Sequence, residues 1–245
     1  MICSLVIGVV AGCVWAIDRQ LRGGLLAQRA EASQRPDWVA LESLPAHVPG
    51  AFLTVVDPDF VERVPVRSRD DGKTIPRELV RQIHLLTDGL GGEARERVMA
   101  PVLEQRLGRR DVLEMYLNRV YVGQLHGYPI YGVHHAAVEY FGKESAQMTL
   151  SEAATLAALL LEPRIEQPAE RSGAVGVRRN EVLRMMLQNG AISQEDYRAA
   201  IAERLAFQPG LTVQPMSRRI LLGEDTAVIR LPPEYRPRPE EQDLD

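Results

Sequence analysis

Cysteine and lysine are the scarce residues of this chain. Its only two cysteines, Cys3 and Cys13, both lie in an apolar N-terminal stretch. The rest of the 245 residues therefore carries neither a disulfide framework nor a thiolate metal site. Lysine occurs twice, as Lys73 and Lys143, among 29 basic residues, so nearly all positive charge is arginine. No basic excess exists either: the net charge is −4, which gives no reason to expect a nucleic-acid partner. No repeat at a solenoid period is visible. What is present is ordinary for a folded protein, with 45% hydrophobic and 25% charged residues. The length accommodates one globular domain of about 150–200 residues plus appendages.

Met1 to Ile17 contains no charged side chain, and Asp18, Arg19 and Arg22 end the run. Seventeen residues at helical rise span roughly 25 Å, the lower limit for crossing a bilayer. Residues 1–18 read as a transmembrane signal anchor, since a buried core helix would be expected to have a polar face. Val10-Ala11-Gly12-Cys13 also fits a lipobox, although no basic leader precedes it. Arg19, Arg22 and Arg29 follow the segment and by the positive-inside rule place that flank in the cytoplasm. Residues 19–37 read as a polar, alanine-rich stalk.

From Trp38 onward the pattern is mainly helical. Leu41, Leu44, Val48, Phe52, Val55 and Val56 predict a short turn and then a buried helix. Thr74 is placed to cap a helix through Leu86, with Pro76 tolerated in its first turn. Glu93 to Leu107 predicts a helix stopped by Gly108 and kinked or split at Pro101. Leu113, Tyr116, Leu117 and Val120 form the buried stripe of the next helix. A short loop follows, then a helix over Gly132–Phe141 ended by Gly142. Thr149 and Glu152 have the spacing of a capping box ahead of a helix that is apolar nearly all round and stops before Pro163; such a helix belongs at the centre of a domain. Val175–Asn189 and a helix capped by Ser193 and ending near Arg204 complete the set. Residues 207–245 read as an extension, with a strand over Thr226–Leu231 and a disordered Pro- and Glu-rich tail.

The run from Arg110 to Lys143, RDVLEMYLNRVYVG followed by YGVHHAAVEYFGK, resembles the late motifs of the peptidoglycan glycosyltransferases, glycosyltransferase family 51, and in particular the monofunctional biosynthetic members. Asp111, Leu113, Glu114, Tyr116, Leu117, Asn118 and Gly123 hold its register. So do Gly132, Ala136, Ala137, Tyr140, Phe141, Gly142, Lys143, Leu150, Glu152, Ala153, Leu156 and Pro163. The resemblance covers roughly Trp38 to Glu203. It implies a mainly α, lysozyme-like glycosyltransferase domain over residues 38–206, behind a single N-terminal transmembrane helix. It also implies a bacterial inner-membrane protein whose soluble domain lies on the periplasmic, extracytoplasmic side. That placement conflicts with the arginine flank, unless a basic leader precedes Met1.

The family polymerises lipid II into glycan strands by attack of a sugar 4-hydroxyl on a diphosphate-linked sugar, with Mg²⁺ or Mn²⁺ helping the leaving group. Its first motif carries a Glu as general base; here Asp57, Pro58 and Phe60 keep the frame but Val56 occupies the Glu position, while Arg63 and Pro65 replace a His and a Gly. Valine cannot accept a proton. In the second motif Lys73, Thr74, Arg77 and Arg81 are the candidate substrate and diphosphate contacts, Arg81 keeping the charge of a family Lys but not its shape. In the third, Gly92 and Glu93 replace a basic pair, and Glu96 stands where the second functional Glu belongs. The link VPVRSRDDG is shorter than the family's mobile, membrane-touching segment.

The residues therefore point to a degenerate relative, a pseudoenzyme of cell-wall biogenesis that binds lipid-linked saccharide, glycan or a cell-wall synthesis protein. The alternative is an active polymerase with a displaced base at Asp57 or Asp59. A lytic hydrolase has only Glu96 to offer as its acid. Arg77, Arg81, Arg95 and Arg97 form either a phosphate-gripping cluster or a solvated face paired with Glu78, Glu93 and Glu96. Glu114 and Asn118, one turn apart, read as structural hydrogen-bonding groups. His134 and His135 point in different directions along their helix, so no metal site is expected there.

Overall fold

The computed structural model describes residues 35, 37–61, 74–84, 92–125, 128–161 and 172–208. The expected anchor over 1–18, most of the stalk, Lys73 and nearly all of the C-terminal extension lie outside the described residues. Among the described residues no helix is long and apolar enough to cross a membrane.

The fold is mainly helical: α1 (His47–Val56), α2 (Ile75–His84), α3 (Gly92–Leu107), α4 (Arg109–Leu117), β1 (Tyr121–Leu125), β2 (Tyr128–Tyr131), α5 (Val133–Phe141), α6 (Leu150–Leu159), α7 (Ser172–Gln188) and α8 (Gln194–Ala202). Single 3₁₀ turns at Leu41–Ser43 and Ser145–Gln147 precede α1 and α6.

Helix α6 is the centre. Every residue from Ser151 to Leu159 is buried, as its all-round apolar pattern predicts. Its alanines let neighbouring backbones approach closely, and α1 and α7 pack against it. The capping box is formed as read: the Thr149 hydroxyl accepts from the Glu152 backbone N–H at 3.2 Å, and the Glu152 carboxylate accepts from the Thr149 N–H at 2.9 Å. Ser193 and Asp196 repeat the device at α8. Besides the capping Glu152, Ser151 and Thr155 are the buried polar residues of this helix. Thr155 Oγ1 returns its proton to the Ser151 carbonyl at 2.7 Å, and Ser151 Oγ accepts from Arg179 of α7 at 3.0 Å. Arg179 also donates to the Glu203 carbonyl at 2.9 Å, so a buried guanidinium ties α6, α7 and the end of α8.

A second group, α2, α3 and α4, packs side by side against the same continuous core. Here the structure departs from the sequence reading in three places. Pro101 lies inside α3, which runs unbroken from Gly92 to Leu107. A proline removes one ladder bond, but Met99, Ala100 and Leu103 are buried around it and hold the helix together. Helix α4 ends at Leu117 rather than continuing to Val120; Asn118 takes over as its cap, and Val120 is buried on its own account. The stretch read as a short loop is an antiparallel hairpin, Tyr121 facing Tyr131 and Leu125 facing Tyr128, with an irregularity between Tyr121 and Gly123. Gly142 ends α5 with a left-handed φ of 65°, as expected for a helix stop.

The lead-in is fastened across the fold. The Asn118 side chain accepts from the Val39 N–H and donates to the Val39 carbonyl, both at 2.8 Å. Glu114 accepts from the Trp38 indole N–H at 3.1 Å and from the Leu41 N–H at 2.9 Å. These are the structural hydrogen bonds expected of that pair.

Candidate active site

The residues singled out in the sequence gather where α1 meets α2 and where α2 crosses α3. Val56 is the last residue of α1, half-buried and packed against the core. Asp57 follows it as the cap, its own N–H bonded to the Leu53 carbonyl at 2.9 Å. The Asp57 carboxylate is buried, 5% exposed, and its Oδ2 accepts from the Ile75 N–H at 3.2 Å. It therefore sits on the N-terminus of α2, where unsatisfied N–H groups and the helix dipole favour an anion. The acceptor for the first N–H of α2 is thus Asp57, supplied from 18 residues upstream, while Thr74 stands at the cap position expected of it, directly before Ile75. Thr74 is itself buried, and its carbonyl takes the Glu78 N–H at 2.9 Å. Asp59 is exposed on the turn beyond.

Arg77 and Arg81 are four apart on α2 and share one face. Arg77 is buried. Arg81 reaches across to α3 and grips Glu96 with both nitrogens of one edge, Nε to Oε1 and Nη2 to Oε2, each at 3.2 Å. Its remaining nitrogen, Nη1, donates to Glu78 at 3.1 Å. The side chains are 33% exposed for Arg81 and 14% for Glu96, so this is a partly shielded, bidentate pair. Arg81 thus lies between two carboxylates, and both oxygens of Glu96 point at a guanidinium. The spacing from Ile75 to Arg81 along α2 is about 9 Å, which separates the Asp57 junction from the Arg81–Glu96 pair.

One feature of this region was not anticipated from the sequence. Glu104 of α3 is buried, with its side chain 2% exposed, and is paired at 2.8 Å with Arg109 across the Gly108 corner. A carboxylate five residues before an arginine signals nothing by itself, because the contact depends on the turn between two helices.

The two histidines diverge. His134 Nδ1 lies 3.6 Å from Glu144, and His135 Nε2 lies 3.8 Å from Asp37. Lys143 binds Glu152 at 2.8 Å, so it braces the α6 capping box. Among the described residues the buried hydroxyls of Tyr131 and Tyr140 have no hydrogen-bond partner. Desolvation, with the neighbouring Tyr121 as a lesser cause, pushes both phenols above their ordinary range.

Residues 66–187 match the family model described as Transglycosylase. Penicillin-binding protein 1A of Aquifex aeolicus is 31% identical over 71% of this chain and 26% of its own length. Penicillin-binding protein 1A of Haemophilus influenzae is 33% identical over 74% of this chain and 22% of its own. A protein of Cupriavidus necator, provisionally described as a transglycosylase, is 29% identical over 83% of this chain and 95% of its own. The crystal structure of the Haemophilus influenzae penicillin-binding protein 1A aligns over 69% of this chain and 18% of its own, with 28% identity and a TM-score of 0.45. The chain spans about a quarter of the length of the penicillin-binding proteins it matches. The agreement runs through α2 to α7, the helices that carry Arg81, Glu96 and the buried core, and on it the chain belongs to the transglycosylase family.

Proposed function

We propose that this protein is a non-polymerising member of the transglycosylase family that binds lipid II, a glycan strand or a cell-wall synthesis protein at the bacterial cell envelope. In this reading the domain is lysozyme-like and sits on the periplasmic side of the inner membrane, behind the anchor expected over residues 1–18. The observation that carries the proposal is the Arg81–Glu96 pair. The pair ties together the two groups that the resemblance leaves for chemistry, the candidate diphosphate contact and the second carboxylate. Both Glu96 oxygens accept from Arg81, and the same arginine, the candidate diphosphate contact, is held by Glu96 and Glu78. Two further features support the reading. Val56 occupies the position the family resemblance gives to the base. Asp57, its nearest ionisable neighbour, is buried against the start of α2.

The test is incubation of the purified full chain with lipid II and Mg²⁺ or Mn²⁺. No polymer is expected, while lipid II binding is expected to saturate without turnover. A base contributes about 10²–10⁴-fold, but Val56→Glu alone should not restore polymerisation, because Arg81 remains engaged. Polymer made by the wild-type chain and abolished in Glu96→Gln would overturn the proposal and establish Glu96 as a working carboxylate.

A further inference from the structure

Arg81, the candidate diphosphate contact, already holds two carboxylates. Its Nε–Nη2 edge is filled by Glu96, one oxygen to each nitrogen at 3.2 Å. Such an edge is a fork that fits two oxygens of a carboxylate or of a phosphate alike. Nη1 donates to Glu78 Oε2 at 3.1 Å. The three groups together carry one net negative charge, so an incoming diphosphate meets repulsion as well as an occupied fork. Both carboxylates are well seated. Glu96 stands on α3 with its side chain 14% exposed. Glu78 stands on α2 three residues before Arg81, and its other oxygen accepts from the Gln82 amide at 3.5 Å. Arg81 is the most exposed of the three, which leaves it within reach of a ligand.

One edge of a guanidinium cannot hold a carboxylate and a phosphate at once. Glu96 and a diphosphate are therefore competitors, and the state that binds is the one in which the α2–α3 bracket is open. We infer that Glu96 and Glu78 form an autoinhibitory lock on Arg81, opened when the diphosphate group of a ligand takes the place of the Glu96 carboxylate. The inference rests on the reading of Arg81 as the diphosphate contact, and it holds whether or not the domain polymerises lipid II. A lock closed in about nine molecules of ten weakens the apparent affinity about tenfold. Its consequence has the opposite sign to that of a carboxylate that helps to bind the ligand: removing Glu96 weakens the fold and strengthens binding.

The experiment is calorimetric titration of the full chain with inorganic pyrophosphate, in neutral detergent, without divalent metal and at constant ionic strength. Glu96→Gln should bind pyrophosphate about tenfold more tightly than the wild type, and should melt lower than the wild type when pyrophosphate is absent. At saturating pyrophosphate that gap in Tm should narrow, because the wild type has then opened its bracket as well. Glu78→Gln should give a smaller gain in affinity, since the bidentate pair stays in place. In an Arg81→Gln background the Glu96→Gln change should bring no gain, which separates release of the arginine from mere loss of a negative charge. The lock is overturned if Glu96→Gln binds pyrophosphate no more tightly than the wild type, or if its gain persists in the Arg81→Gln background. Should Glu96→Gln fail to fold, Glu78→Gln carries the test, and the absence of any gain there overturns the lock. Those failures leave the non-polymerising reading standing; polymer made from lipid II by the wild type removes that reading and leaves the pyrophosphate titrations to decide the lock.

Discussion

Glu96 retains a carboxylate, but its partner determines what that group can do. Two charge-assisted hydrogen bonds to Arg81, in a setting where Glu96 is mostly shielded, make it a bracket between α2 and α3. Glu96→Gln should therefore lower unfolding stability by about 1–2 kcal/mol. Glu78→Gln removes a single bond from the more exposed carboxylate and should cost less. In urea titrations the Arg81→Gln, Glu96→Gln double variant should lose clearly less than the sum of the singles, since each single change already breaks the shared contact. A strictly additive result would mean that the pair does not form in solution. Asp57 makes a separate prediction. Asp57→Asn keeps an acceptor at the start of α2 but loses the charge favoured by the helix end, and it should cost about 1 kcal/mol in the same urea titrations. These roles were only partly legible in the sequence. That Glu96 pairs with an arginine was one of two readings open there; that the partner is Arg81, 15 residues away on another helix, required the α2–α3 packing.

Elements with local signals were readable and elements that depend on a distant partner were not. The capping box at Thr149 and the cap at Ser193 involve residues three apart, so both were readable in the sequence, and the structure adds Asp196 as the reciprocal partner of Ser193. The hairpin was missed because Gly123, Gly127 and Pro129 break any alternating pattern; it exists because each strand supplies the other's hydrogen bonds. Its far end is also fastened to the segment just beyond α4, since the Gly132 N–H donates to the Val120 carbonyl at 2.8 Å. Gly132 has a φ of 82°, and a Cβ placed there would lie 2.8 Å from the Asn118 carbonyl oxygen. Gly132→Ala combines a disfavoured backbone conformation with a clash against backbone, which cannot rotate aside. The expected cost is about 1–3 kcal/mol. Because Asn118 also holds Val39, hydrogen exchange should speed up at both the hairpin and the lead-in. Faster exchange at the hairpin alone would separate the two and refute the shared fastening.

At the scale of the whole molecule, burial of ionisable groups sets how stability responds to pH, and Glu139 is the group to watch. It lies half-buried on α5 beside Tyr140, with its pKa raised from the ordinary 4.5 by desolvation and pulled back in part by His135. A carboxyl whose folded pKa exceeds its unfolded one holds its proton more tightly in the native state. Between those two values the folded protein therefore binds more protons than the unfolded chain, and stability falls as pH rises through that window, which begins at 4.5 and extends upward. Above it the penalty is constant: the native fold carries an ionised carboxylate that the unfolded chain solvates better. Glu139→Gln removes the charge and keeps the shape. The variant should be more stable than the wild type at neutral pH, and the advantage should shrink as pH falls through the window and vanish below 4.5. Asp196 shifts the other way, lowered first by its hydrogen bond from the Ser193 hydroxyl and next by the Ser193 backbone N–H. Its contribution is present above the ordinary carboxyl range and lost on acidification, so Asp196→Asn should be less stable than the wild type at neutral pH and converge with it in acid. Paired urea titrations of both variants across pH 3–8, a range of roughly the usual carboxyl pKa and above, would separate the two signs. A Glu139→Gln advantage that grew toward acid would mean that its carboxylate is stabilised in the fold, and would remove desolvation as the dominant influence on this residue.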